Sequence, residues 1–133
     1  MNKVKIALAT DDGETFMGRH FGDSKLYKIY ELGPESAEYL KTIDNTVDEE
    51  EEVHADPKKA QGIAQLLKQE GVQVVASKVF GPNIKRIKKK FVCIVIGEDE
   101  LDTGLQEVQN NFAKVVAEWD KGQQRKHLVL RGK

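Results

Sequence analysis

The run Gly18-Arg19-His20-Phe21-Gly22-Asp23 sets an imidazole, a guanidinium and a carboxylate between two glycines. Imidazole is a good ligand for borderline metals such as iron and also donates to bound anions. Glycines at 18 and 22 are expected to let the backbone approach a ligand closely. A second run, Phe80-Gly81-Pro82-Asn83, reads as the opening of a helix, with Lys78 and Lys85 close in sequence. Unpaired N–H groups at a helix start, together with the helix dipole, favour an anion. The run lacks the full glycine pattern of a nucleotide loop. A plain strand-to-helix turn is the alternative reading. Asp11 and Asp12 form a third candidate, because paired carboxylates can hold the divalent metals of two-metal enzymes. A nuclease needs further carboxylates from other strands, and the apolar runs 72–76 and 91–96 offer none. The pair therefore reads first as turn residues.

The remaining ligand-type residues carry less. His54 reads as an exposed loop histidine beside the acidic run Asp48–Glu52, with an approach to the His20 end of the sheet as the alternative. His127 lies in the C-terminal tail. Cys93 is the single cysteine and sits in an apolar strand, where a buried, inert thiol is expected. Protein-held iron–sulfur clusters usually use about four thiolates. A single thiol cannot supply such a set.

These loops need a scaffold, and the hydrophobic pattern supplies one. Val4–Ala9 is short and nearly continuous in its apolar character, as expected of a central strand covered on both faces. Leu26–Leu32 and Glu38–Ile43 read as strands joined by the turn Gly33-Pro34-Glu35-Ser36. Asp56 and Pro57 suit a helix start, and Ala60, Ile63, Ala64 and Leu67 recur at helical spacing. Strand 72–76, a helix with Ile84 and Ile87 inward, and strand 91–96 follow. Lys85, Arg86, Lys88, Lys89 and Lys90 occupy the other faces of that helix and read as a solvated surface able to meet an acidic partner. Thr103 and Gln106 have capping-box spacing ahead of one last helix, which buries Leu105, Val108, Phe112, Val115, Val116 and Trp119 and ends at Gly122. The basic stretch 123–133 is expected as a tail, in which His127–Leu130 pairs at a sheet edge or remains mobile. The order βββαβαβα predicts an α/β domain over 1–122, with a mixed sheet between helices and right-handed crossovers in its second half.

Composition bounds the function. A chain of 133 residues has the size of one domain, and 39% hydrophobic against 32% charged residues suits a soluble globule. With 21 basic and 22 acidic residues the net charge is −1, which does not suggest a nucleic-acid binder. No run reaches the roughly 18 apolar residues of a membrane span. One thiol and a start that enters a strand directly suggest a cytoplasmic protein.

Residues 6–12, His20-Phe21-Gly22, the strand 26–30 and the segment from Gly71 through Phe80-Gly81-Pro82-Asn83 together resemble the dinitrogenase iron–molybdenum cofactor biosynthesis family, also described as nitrogenase accessory factor-like. The likeness covers roughly residues 3–120, and His-Phe-Gly in its strand–loop–strand setting is its most specific element. It implies a three-layer α/β/α, ribonuclease H-like fold with a five-stranded mixed sheet. It also implies transient, non-enzymatic carriage of an iron–sulfur or iron–molybdenum cofactor precursor among metallocluster assembly proteins. The ligand would contact His20, Phe21, Gly22, Gly81, Pro82 and Asn83, with His20 as the metal ligand. The alternatives are a metal-dependent phosphate-transfer or nuclease enzyme using Asp11 and Asp12, and an interaction module working through the charged surface.

Overall fold

A computed structural model describes residues 2–45 and 57–131. The acidic run 48–52, His54 and the capping residue expected at Asp56 lie outside the described residues. The chain forms β1 (Val4–Thr10), β2 (Leu26–Leu32), β3 (Ala37–Asp44), α1 (Pro57–Gln69), β4 (Val74–Ser77) and α2 (Ile84–Ile87). Then come β5 (Val92–Ile96), α3 (Leu101–Asn110), α4 (Phe112–Trp119) and β6 (Leu128–Leu130).

The strands make one sheet in the order β3-β2-β1-β4-β5-β6. β2 is antiparallel to both β1 and β3, whereas β1, β4, β5 and β6 run parallel. The first five strands have the ribonuclease H-like order. β1 is central because its side chains are buried on both faces. Val4, Ile6 and Leu8 join one apolar cluster with Val108 and Val115 of α3 and α4. Ala7 and Ala9 join the other, with Ile63, Ala64 and Leu67 of α1. The alternation of side chains along a strand sends these two sets to opposite faces, and each face then needs its own helical cover. Each fully buried aliphatic or aromatic side chain contributes about 1.5–3 kcal/mol.

Three expectations are corrected. The sheet has six strands rather than five, because β6 adds to β5 with Ile94, Val95 and Ile96 opposite Leu128, Val129 and Leu130. Of the two courses open to residues 127–130, pairing at the sheet edge is the one taken, by Leu128–Leu130. Arg125 is buried, its guanidinium lies 4.2 Å from the Trp119 ring centroid, and it donates to the carbonyls of Trp119, Lys88 and Lys89. The single last helix is in fact two, separated at Asn111 (φ −112°, ψ 25°), whose side-chain amide donates to the Glu107 carbonyl at 2.9 Å. Asn competes for nearby backbone groups in this way and weakens a helix interior. The helix start differs from expectation as well. α3 begins at Leu101, so Thr103 lies inside the helix rather than at its cap.

Candidate functional site

β1 and β4 are parallel neighbours, but the chain leaves β1 toward β2 on one side and leaves β4 toward β5 on the other. The carboxyl ends of two strands that part in this way leave a crevice where open α/β sheets place ligands. Here the crevice is bordered by the loops 11–25 and 78–83.

Two aromatic anchors hold the first loop across the rim. Phe16 drops into the α3/α4 face, and its backbone N–H donates to the Asp99 carbonyl at 2.8 Å. A Cβ on Gly104 would lie 2.4 Å from this ring, so α3 needs glycine there to admit it. Phe21 drops into the α1 face, 1% exposed. Its ring stacks on Phe80 at 5.2 Å between centroids and tilts against Tyr27 at the same distance. The Tyr27 hydroxyl donates to the Phe21 carbonyl at 2.7 Å. Phe21 was expected among the ligand contacts, but its ring is spent in the core, where it fixes the loop. The Phe21–Phe80 stack also ties the two rim loops together. Sequence reading missed this contact, although the paired Phe-Gly steps at 21–22 and 80–81 were visible.

Between these anchors stands His20. Its backbone forms a parallel bridge with Val79. Its carbonyl accepts from the Asp23 N–H at 2.8 Å, which closes the short 3-10 turn Phe21–Asp23. The half-buried imidazole lies against Gly81. A Cβ built on Gly81 would come within 2.7 Å of both Nδ1 and Cε1. Gly81 also has φ +73°, a left-handed conformation that side chains disfavour. Glycine is therefore required there twice over. The same imidazole lines an open hollow of about 360 Å³ with Gly18, Arg19 and Asp23. Arg19 and Asp23 had no assigned role in the sequence reading.

The other expected residues divide. Gly22 lies in the 3-10 turn, and its carbonyl accepts from Asn45 Nδ2 at 3.0 Å. A Cβ at Gly18 or Gly22 would meet nothing within 4 Å, so close packing does not require glycine at either. Pro82 and Asn83 shape the turn, with Lys85 and Arg86 N–H groups donating to their carbonyls at 3.4 and 2.9 Å. The anion-attracting helix entrance expected there is not formed. α2 has four residues, too few for an appreciable dipole, and Pro82 has no N–H to offer. Lys78 is paired with Asp99.

Asp11 and Asp12 are consumed by the loop itself. Asp11 pairs with Arg19 at 2.7 Å and accepts from the Lys25 N–H. Asp12 accepts from the backbone N–H groups of Glu14 and Thr15, each at 2.8 Å, and from the Thr15 hydroxyl. These bonds hold its carboxyl well below the usual carboxylate range. Among the described residues no group of three or more His, Cys, Asp or Glu side chains is placed to hold a metal ion. Cys93 is fully buried, and desolvation pushes its thiol up to about 12. It supplies no thiolate near neutral pH.

A ribonuclease H-like sheet carrying a half-buried histidine at its carboxyl rim defines a small three-layer α/β domain. The chain belongs to the dinitrogenase iron–molybdenum cofactor family, whose pattern matches residues 2–114. β6 and much of α4 fall outside that match. A crystal structure from Methanocaldococcus jannaschii, provisionally described as a dinitrogenase, shares the fold. It aligns with a TM-score of 0.56 and 20% identity, over 86% of this chain and 91% of that one. Among curated proteins no match is found. No helix among the described residues is long and apolar enough to cross a membrane.

Proposed function

We propose that this domain binds and carries a precursor of an iron–sulfur or iron–molybdenum cofactor without transforming it, handing it to other proteins of metallocluster assembly. Family membership associates the chain with the iron–molybdenum cofactor. The observation that carries the reading is the seating of His20, whose ring rests on Gly81 and lines the open hollow beside Arg19. One imidazole suits iron as a borderline nitrogen donor. Without accessible thiolates nearby, the cargo keeps most of its own ligands and is held at a single protein atom. Such attachment is easily reversed, as a carrier requires. Arg19, tied to Asp11, and Asp23 form the polar mouth, and Phe21 and Phe80 keep both loops in place.

Anoxic reconstitution with iron and sulfide, or with a preformed cofactor precursor, tests this directly through bound iron and visible absorption. His20→Ala is expected to weaken uptake by at least about tenfold. Equal uptake by the native chain and the variant, or none by the native chain, rejects the proposal. The nuclease alternative has no observation in its favour, since Asp11 and Asp12 are both engaged within the loop.

A further inference from the structure

Five cations of this domain outside one cluster have an acidic partner. Lys3, Arg19, Lys41, Lys78 and Lys121 each pair with a carboxylate. The segment that spans α2 and the turn into β5 differs. Lys85, Arg86, Lys88, Lys89 and Lys90 place five positive charges within six positions, and among the described residues no carboxylate pairs with any of them. Four of the five are exposed and Lys88 is half-exposed. Like charges this close repel one another, so the backbone beneath them needs holding.

Arg125 holds it. This buried guanidinium donates to the carbonyls of Lys88 and Lys89 at 3.4 and 3.0 Å while stacked on Trp119. The turn closes further through the Lys90 and Phe91 N–H groups, which donate to the Ile87 carbonyl at 2.9 and 3.0 Å. Lys68 extends the positive field from α1, its ammonium 5.7 Å from the Phe91 ring centroid. A preformed backbone lowers the entropy cost of an electrostatic contact.

We propose that the Lys85–Lys90 segment is a docking surface for an acidic segment of a partner protein, a short run of Asp and Glu side chains. Its Lys88–Lys90 end lies toward the amino end of β5, whereas Lys85 and Arg86 lie in α2, which follows the rim loop 78–83. A short carboxylate run is favoured over nucleic acid by the charge balance. The whole chain has a net charge of −1, so the surface beyond this patch has an excess of acid. A phosphodiester chain would run past the patch into that repulsion, whereas a short acidic segment need only cover the patch.

The test uses the full chain and a fluorescent oligo-glutamate peptide, with an oligo-serine peptide of equal length and a single-stranded oligonucleotide of equal charge for comparison. Anisotropy is expected to show glutamate-peptide binding that weakens steeply as salt rises. It should weaken by at least about tenfold in the triple variant Lys88→Glu, Lys89→Glu, Lys90→Glu. The pair Lys85→Glu, Arg86→Glu, on the same surface but clear of the Arg125 contacts, should lose binding too, and far-ultraviolet circular dichroism and melting confirm that each variant folds. His20→Ala should bind the peptide as the native chain does, so this outcome is independent of the cofactor reading. No peptide binding, equal binding by folded variants, or tighter binding of the oligonucleotide overturns the proposal. So does salt-sensitive self-association that the variants abolish, because the occupant would then be a second copy of the chain.

Discussion

Asp12 and His20 belong to one loop on one rim of the sheet, and each by residue type is a plausible metal ligand. In the first half of the loop, Asp12 folds back on the N–H groups of Glu14 and Thr15, while the buried Thr10 hydroxyl lies 2.6 Å from the Thr15 carbonyl. The polar groups there satisfy one another. In the second half, Phe21 carries the anchoring and the half-buried His20 ring is braced by a glycine from another loop. A carboxylate pair two residues from a turn has backbone donors within easy reach, and it takes them. A histidine whose neighbour is an aromatic anchor has its backbone held by that neighbour's packing. The difference lies in what each residue's neighbours can supply, not in the ligand strength of the side chain.

The comparison breaks most sharply at the anchor. Phe21→Ala is expected to cost about 3–5 kcal/mol in denaturant unfolding, because it empties a site bounded by Phe80 and Tyr27. A loss below about 1 kcal/mol would mean that the loop is held by other means. Next come two glycines that admit a ring. Gly81→Ala and Gly104→Ala should each cost about 1–3 kcal/mol. Only the first should also reduce iron uptake, since its methyl group meets His20 whereas that at Gly104 meets Phe16. Parallel loss of uptake in both variants would reduce the distinction to simple stability.

Asp12→Asn probes the first half of the loop through pH. The folded carboxyl is depressed by its N–H donors, so its stabilisation is complete above the ordinary carboxylate pKa and is lost as pH falls toward the depressed value. The difference in melting temperature between native and variant should be largest near neutrality and shrink below a pH of about 4. A difference independent of pH would show that the charge is not engaged. The smallest expected effect concerns Cys93. A thiol reagent at pH 8 should leave the folded chain unmodified and react fully once it is unfolded, and Cys93→Ala should leave iron uptake unaltered. Rapid labelling of the folded chain would return a thiolate to the list of ligands.

Much of this was legible along the chain. The apolar run of β1 announced a strand buried on both faces, and Leu26–Leu32 was bounded correctly because aromatic and β-branched residues end at Gly33. Cys93 was legible as inert from its apolar neighbours alone. The break at Asn111 was not, because the buried stripe from Leu105 to Trp119 continues through it. β6 was left open for a similar reason. A three-residue strand carries almost no periodicity, and its place depends on β5 and on Arg125 reaching the carbonyls of the basic turn.

Residue order by itself determined the kinds of element, the two faces of β1 and the presence of two glycine-bearing loops, since these follow from spacing and from backbone preference within a few neighbours. Only the tertiary structure decided that Phe21 meets Phe80, that the His20 ring rests on Gly81, and that Asp12 is spoken for while His20 lines a hollow. The physical reason is distance along the chain. Contacts between residues some sixty positions apart arise from the parallel pairing of β1 with β4, and no local pattern encodes that register.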